Sequence, residues 1–399
     1  MAETSGTAAA AQQVVRARIA VGGGFFMFGL AFALWAVHIP VIAARLSLDP
    51  AVLGLALLNV GLGGVISQPL TGWLVARTGS RPAATVLLLV FLATFIAPII
   101  AWSTPVFFLA TLILGVTAGA YNVAINTQAS EIERARGRPT MSSFHGFFSL
   151  GALAGASLGG GIIAIGRQDG SGAAVAAVVM FAIAIFATRY FLPTTPAPKV
   201  ERQPGGRRFT LPSGAVLGLS ALTFFANTVE GAVNDWSALY LSTVRGLNPA
   251  IAVSGFAIFS LTMAICRLAG GPVVAKLGEK SIVLFGGILM AIGMAVVVLS
   301  PWAIVSPFGF ALVAIGAANT IPVMMGAASR APGTAPSTGI AATATGALLG
   351  LLIGPPIIGF IAHAVGLSAA LGLLSLVGVV IVIGAALYQW PAQVVQPAT

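Results

Sequence analysis

The sequence predicts an all-α membrane protein in which twelve transmembrane helices form two pseudo-symmetric six-helix bundles. The chain of 399 residues is 58% hydrophobic and only 7% charged, whereas a soluble protein carries roughly 25% charged residues. Its apolar runs reach the length of about 20 residues that a helix needs to cross a bilayer. Short motifs also recur in the same order in the two halves of the chain. This composition excludes a soluble enzyme.

Polar breaks divide the chain into twelve predicted spans. They cover residues 18–44, 51–76, 82–101, 106–130, 141–165, 172–192, 213–243, 249–275, 281–300, 306–329, 338–363 and 367–390. The first run is too long for the apolar part of a signal peptide, so it predicts a retained helix. The domains expected from these bounds are a tail at 1–17, a bundle at 18–192, a polar linker at 193–212, a bundle at 213–390 and a tail at 391–399.

The basic residues in the loops predict the orientation of the chain, because Lys and Arg accumulate in cytoplasmic loops. Three basic residues follow odd-numbered spans: Arg45, Arg167 and Arg245. Fifteen lie on the other side: Arg16, Arg18, Arg77, Arg81, Arg134, Arg136, Arg138, Arg189, Lys199, Arg202, Arg207, Arg208, Lys276, Lys280 and Arg330. We therefore expect a multi-pass protein of the bacterial inner membrane with both termini in the cytoplasm. The net charge of +10 follows from these loops and does not indicate binding to nucleic acid.

An internal repeat relates the two halves. Asp49-Pro50 after span 1 matches Asn248-Pro249 after span 7, and the segment 72–81 matches 271–280 at the same offset of 199. The glycines at 151, 155 and 159 match those at 346, 350 and 354. Because the matches keep their order, they indicate duplicated six-helix units.

The loop after span 2 carries a family resemblance. Gly72, Leu74, Arg77, Gly79 and Arg81 fit a Gly-x-Leu-x-Asp-Arg-x-Gly-Arg-Arg/Lys pattern, and the sequence thereby resembles the major facilitator superfamily of secondary transporters. Ala76 occupies the position of the acid in that pattern, which puts the charge contact associated with it in doubt. The resemblance implies that this loop and its repeat counterpart are gate loops. Their predicted gate residues are Gly72, Arg77, Gly79, Arg81 and Gly278, which is the repeat counterpart of Gly79.

Three further segments resemble a bacterial subgroup that contains the permease YbjJ. They are Asn122-Val123-Ala124-Ile125-Asn126, residues 137–146 and residues 230–240. His145, at the start of span 5, is expected to make a gate contact on the cytoplasmic side.

Charged residues within the spans are the main functional candidates, since a charge in lipid is costly unless it faces a cavity or a partner. Glu230 lies near the middle of span 7 and shares a helix face with Asn227 and Asn234. It is predicted to couple proton movement, although a structural hydrogen bond between helices is the alternative. Asp235 is a second coupling candidate, with access to interfacial water as its alternative. Arg267 in span 8 needs a carboxylate, carbonyl oxygens, water or an anionic substrate, and pairing with Glu230 is one such arrangement.

Amide-bearing residues complete the predicted substrate cavity. Asn122 and Asn126 share a face of span 4, with Tyr121 beside it, and this face is either a helix seam or a solute site. Weaker candidates of the same kind are Asn59 and Gln68 in span 2 and Asn319 in span 10.

The sequence contains none of the motifs of metal, nucleotide or thiol chemistry, so no catalytic residue, metal or cofactor is predicted. The predicted function is secondary active transport of a small solute by alternating access, with coupling to protons, in a monomer surrounded by lipid. An uncoupled uniporter or channel and a non-transporting membrane sensor remain the alternatives.

Overall fold

The computed structural model describes residues 2–136, 140–193, 213–334 and 336–390. Within them, twelve helical spans are long and apolar enough to cross a membrane, which confirms the predicted fold class. In chain order the spans are Gln12–Arg45, Pro50–Thr78, Ser80–Ile100, Thr104–Arg136, Ser143–Ala164, Ser171–Tyr190, Gly214–Thr243, Pro249–Leu268, Glu279–Leu299, Ala303–Ser329, Thr338–Val365 and Leu367–Leu387.

Several spans contain a break. Span 1 consists of helices Ala2–Ala36 and Ile39–Arg45, and span 3 of Ser80–Thr94 and Ala97–Ile100. Span 6 ends in a 3₁₀ turn at Thr188–Tyr190, and span 10 joins Ala303–Val305, Ser306–Ala317 and Thr320–Ser329. Span 8 comprises Pro249–Ala252 and Ser254–Leu268, and a further helix, Gly270–Leu277, continues it.

The structure describes the expected tails and linker only in part. The first helix begins at Ala2, so the segment 1–17, expected as a tail, is helical from that residue onward. The apolar residues that qualify as a membrane span start only at Gln12. The expected linker, apart from Pro193, and the C-terminal tail at 391–399 lie outside the described residues.

Equivalent spans pack in equivalent pairs. Span 1 lies on span 5 as span 7 lies on span 11, and span 2 lies on span 4 as span 8 lies on span 10. Span 1 contacts span 7, and the two larger contacts between the first six spans and the last six join span 2 with span 11 and span 5 with span 8. Since spans 2 and 5 are the counterparts of spans 8 and 11, these two contacts are also related by the repeat.

The repeated glycines explain how spans 1 and 7 approach their partners. A Cβ atom on Gly155 would collide with the carbonyl oxygen of Leu30 in span 1, and one on Gly350 would collide with that of Phe224 in span 7. Glycine is required because only its missing side chain lets the two helix backbones come so close.

Two arginines of the odd-numbered loops have equivalent partners in the two halves. Arg45 Nη2 donates to the carbonyl oxygens of Ile99, at 2.5 Å, and Ala101, at 2.9 Å. Arg245 Nη2 donates to those of Val297, at 2.6 Å, and Ser300, at 2.7 Å. These carbonyls end spans 3 and 9, where a helix leaves acceptors unsatisfied. Each arginine therefore caps a neighbouring helix.

Among the described residues, close backbone contacts between the halves lie at one end of the molecule. At the end opposite to where the first helix starts, which we call the opposite end, Gly54 of span 2 packs on the backbone of Pro355 and Pro356 in span 11. Gly160 of span 5 likewise packs on Ala250 at the start of span 8. We call the other end, where span 1 begins and span 12 finishes, the terminal end.

Candidate functional site

A cavity of about 1270 Å³ lies between the two sets of six spans. Its walls include Asn122, His145 and Ser149 from the first six spans and Asn227, Glu230, Arg267 and Asn319 from the last six. It extends to Met141, Val274, Glu279 and Arg330 at the terminal end. Because the spans pack closely at the opposite end, the cavity is accessible from the terminal end.

Glu230 and Arg267 form an ion pair in the wall of this cavity. Arg267 Nη2 lies 3.0 Å from Glu230 Oε1 and 3.2 Å from Oε2. The arginine side chain is 37% exposed, whereas the glutamate side chain is 15% exposed. The structure thus realises the pairing that the sequence offered as one arrangement for Arg267, and it turns the arginine toward the cavity more than the carboxylate.

Amide side chains fix the backbone around the pair. Asn227 Nδ2 donates to the carbonyl oxygen of Ala347 at 2.5 Å and ties span 7 to span 11. Asn319 Nδ2 donates to the carbonyl oxygen of Cys266 at 3.1 Å, and its Oδ1 fills the space that a side chain at Gly270 would need. Asn319 therefore fixes the break in span 8 directly beside Arg267, so its main contacts are structural.

The predicted pair of asparagines in span 4 forms one hydrogen-bonded unit. Asn126 Nδ2 donates to Asn122 Oδ1 at 2.9 Å and to the Asn122 carbonyl oxygen at 2.8 Å. Asn122 is exposed and lines the cavity, whereas Asn126 lies behind it. Asn122 is therefore available to a solute and Asn126 orients it.

His145 was assigned to a gate from sequence, but the structure places its exposed side chain in the cavity wall. Its ring packs edge-on against Phe25, with 5.5 Å between ring centroids. Arg267 lines the same cavity. The sequence could not show this proximity, because it depends on how span 5 lies against span 8.

Besides Asn126, five predicted cavity or coupling residues are not among those that line the cavity. Tyr121 is buried between Phe28 and Phe91, and Asn59 Nδ2 donates to the carbonyl oxygen of Phe108 within the seam of spans 2 and 4. The other three are Gln68, which is exposed elsewhere, and the half-buried Asn234 and Asp235. Within the described part of the chain, Asp235 has no hydrogen-bond or ion-pair partner.

The loop after span 2 is held by contacts within the first six spans. Ser80 Oγ donates to Glu131 Oε2 at 2.5 Å, and Gln128 Nε2 donates to Ser80 Oγ at 2.6 Å. Arg81 Nη2 donates to the carbonyl oxygen of Arg189 at 2.8 Å. The guanidinium of Arg77 lies over the ring of Trp73 at 4.2 Å, and Gly72 is exposed nearby. The loop is therefore anchored without an acid at Ala76.

An ion pair at the mouth of the cavity was missed from sequence. Arg330 at the end of span 10 pairs with Glu279 at the start of span 9. Arg330 follows Glu131 by 199 positions, and Glu279 follows Ser80 by the same number. The two earlier residues are also in contact, because Ser80 Oγ donates a hydrogen bond to Glu131 Oε2. The repeat offset applied to polar loop residues was the signal that could have identified this pair.

Twelve spans in repeat-related pairs around a central cavity open at one end define a polytopic membrane transporter. The model of the Major Facilitator Superfamily matches residues 21–335, and the chain belongs to this family. The family is one of transporters and not of enzymes, so the protein transports a small molecule across a membrane.

Relatives cover nearly the whole chain. An uncharacterized MFS-type transporter of Yersinia pestis is 33% identical over 92% of this chain and 94% of its own length. Membrane protein MosC of Rhizobium meliloti is 30% identical over 91% of this chain and 88% of its own length.

Solved structures share the fold. A mutant of the nucleoside transporter NupG aligns over 94% of this chain and 99% of its own, with a TM-score of 0.76 and 12% identity. A D-xylose–proton symporter aligns over 94% and 98%, with a TM-score of 0.75 and 16% identity.

Proposed function

We propose that this protein is a proton-coupled secondary transporter that moves a small solute across the bacterial inner membrane by alternating access. The observation that supports coupling is the Glu230–Arg267 pair in the wall of a cavity that reaches only one end of the molecule. Ionisable groups inside membrane spans commonly form proton relays. The two moving units are the six-helix bundles at 18–192 and 213–390, and the transporter acts as a monomer.

The proposed orientation places the terminal end in the cytoplasm. Fifteen of the basic residues belong to that end, against three at the opposite end, as the charge bias of membrane proteins favours. The cavity is then open to the cytoplasm, and the structure corresponds to an inward-facing state. We also place the chain with the YbjJ-type permeases. The motifs at 122–126, 141–146 and 230–240 support this, whereas 137–139 lie outside the described residues.

Coupling would arise from the change in surroundings of Glu230 during the cycle. In the state described here Arg267 Nη2 donates to both oxygens of the carboxylate. Movement of span 8 away from span 7, or competition for the guanidinium, removes these hydrogen bonds, and loss of a nearby positive charge favours the neutral form of a carboxyl group. A proton taken up at one end and released at the other drives the solute in the same cycle.

Replacing Glu230 by Gln tests this mechanism in proteoliposomes with an imposed pH gradient. The amide keeps the size of the side chain but cannot titrate, so accumulation of solute against its gradient should be lost while exchange of solute persists. Asp235→Asn is the matched control, because this carboxylate is on the same helix but outside the cavity wall. Undiminished accumulation by Glu230→Gln would show that Glu230 is not the proton carrier and would place coupling at Asp235. Equilibration of the solute without accumulation by the parent protein would favour the uncoupled uniporter.

A further inference from the structure

We infer that the transported solute is a small hydroxylated monocarboxylate whose anionic group binds between Arg267 and the Asn122–His145 wall of the cavity. This inference deepens the proposed transport function and rests on it. Its basis is which hydrogen-bonding atoms and which net charge the cavity offers to a solute.

Arg267 has unused donors. Its Nη2 donates hydrogen bonds to both carboxylate oxygens of Glu230, and its Nε donates a long one, at 3.4 Å, to the carbonyl oxygen of Ala318. Among the described residues no acceptor lies at Nη1, and the side chain is more exposed than that of Glu230. A solute entering the cavity therefore meets guanidinium N–H groups before it meets the carboxylate, and such groups bind carboxylates strongly.

The facing wall also offers donors. Asn122 Oδ1 accepts the hydrogen bond from Asn126, which directs the Asn122 carbonyl to its neighbour and leaves Nδ2 free to donate. His145 in the adjacent span is exposed to the cavity, which Arg267 also lines. An anionic group between these walls would receive hydrogen bonds from both halves of the molecule, as a solute that is enclosed during alternating access requires.

The charge of the wall matches one negative charge. The charged side chains among its described residues are Glu230, Arg267, Glu279 and Arg330. The last two pair with each other at the mouth. Protonation of Glu230 thus leaves one uncompensated cation, Arg267, and a monoanion restores neutrality. A proton and a monoanion would then cross together without net charge.

The remaining surface favours hydroxyl groups over rings. Asn227 gives its Nδ2 to the carbonyl oxygen of Ala347, so its Oδ1 is left to accept from a solute. The described lining contains no Phe, Tyr or Trp, which are the side chains on which aromatic solutes and sugar faces stack. An aliphatic acid carrying hydroxyl groups fits this combination of one cation, donors and an amide acceptor.

Thermal stability of the purified full-length protein in detergent provides the test, because it reports binding without any gradient. Lactate and gluconate are compared with lactamide and gluconamide, which keep the shape and the hydroxyl groups but lack the charge. We expect at least one acid to raise the melting temperature and its amide to leave it unchanged. An equal shift from an acid and its amide, or no shift from either acid, would overturn the inference.

Variants of the ion pair sharpen the comparison. Glu230→Gln removes the competitor for the guanidinium and should tighten binding of the stabilising acid about tenfold. The double variant Glu230→Gln with Arg267→Gln leaves no unpaired charge that would impair folding, and it should no longer bind the acid. Retained selectivity for the acid in that double variant also contradicts the inference. If the acid binds selectively but Glu230→Gln still accumulates solute, the assignment of proton coupling to Glu230 fails while the solute class stands.

Discussion

Asp49 Oδ2 and His363 Nδ1 lie 2.6 Å apart and join the first half of the molecule to the second at its closed end. Asp49 caps the start of span 2 by accepting a hydrogen bond from the Ala51 N–H at 2.8 Å, and His363 lies near the end of span 11. Since the two halves must separate here when the cavity opens to the other side, this contact is part of what holds the described state.

The contact predicts a pH dependence of opening. Partial desolvation raises the pKa of Asp49, but the hydrogen bonds from Ala51 and His363 and the charge of His363 outweigh it, so the net shift is downward. The stability that the charged Asp49 carboxylate gives to this contact is therefore fully present above the unfolded pKa of aspartate, about 3.9. It is lost as pH falls through the lower pKa that Asp49 has in the folded protein. The closed end should therefore be held less firmly below about pH 3.9, the ordinary pKa of an aspartate, than near neutral pH.

Spin labels at Trp102→Cys and Trp302→Cys, in a Cys266→Ser background, report separation of the two halves at this end. Both tryptophans are highly exposed, at 79% and 69%. We expect the longer distances to gain population when pH is lowered from about 6 to about 3, a range that spans the ordinary pKa of a carboxyl group. Asp49→Asn should remove most of this change, and an identical pH response in that variant would show that the contact does not hold the halves together.

The arginine caps predict a matched loss of stability in both halves. Arg45→Gln and Arg245→Gln each leave two carbonyl oxygens without a charged donor. Each should lower the free energy of unfolding by about 1–3 kcal/mol, seen as a lower melting temperature in detergent. Arg167→Gln is the control, because this arginine is exposed at the same end and its guanidinium donates no hydrogen bond within the described chain. Equal melting temperatures for all three variants would refute the capping role.

The close approach of spans 1 and 5 predicts opposite effects for two glycines of span 5. Gly155→Ala places a methyl group against the backbone oxygen of Leu30, which cannot rotate away. It should destabilise the protein by about 1–3 kcal/mol. Gly161→Ala meets open space and should be neutral or slightly stabilising, because alanine favours helix. Monodispersity and melting temperature of the two purified variants are compared, and similar values would mean that the helices adjust freely.

The loops after spans 2 and 8 share a backbone conformation that predicts a specific need for glycine. Gly79 has φ 88° and ψ 160°, and Gly278 has φ 82° and ψ 153°. This region is occupied almost only by glycine and costs other residues about 1–3 kcal/mol. Gly79→Ala should therefore slow transport and lower the melting temperature. Gly72→Ala should do neither, because Gly72 lies within a helix and a Cβ atom there would meet no neighbouring atom. A Gly79→Ala variant as active and stable as the parent would show that the turn relaxes without cost.

The sequence determined the fold class and the repeat, since both are written in local patterns. Hydropathy specifies twelve spans because lipid requires each backbone to satisfy its own hydrogen bonds within a helix. The offset between Gly79 and Gly278 predicts equivalent turns because backbone strain is a local property. The central position of Glu230 in span 7 likewise follows from counting residues.

Only the tertiary structure decided which polar residues share a surface. The rotation and breaks of the helices bring His145 into the cavity and turn Tyr121 into the core, although both lie within spans that the sequence predicts. The Glu230–Arg267 contact depends on the break at Ala269 and on Asn319, which fixes that break from another helix. The physical reason is that a helix fixes the spacing of its own side chains, whereas its rotation is set by packing against neighbours that are distant in the chain.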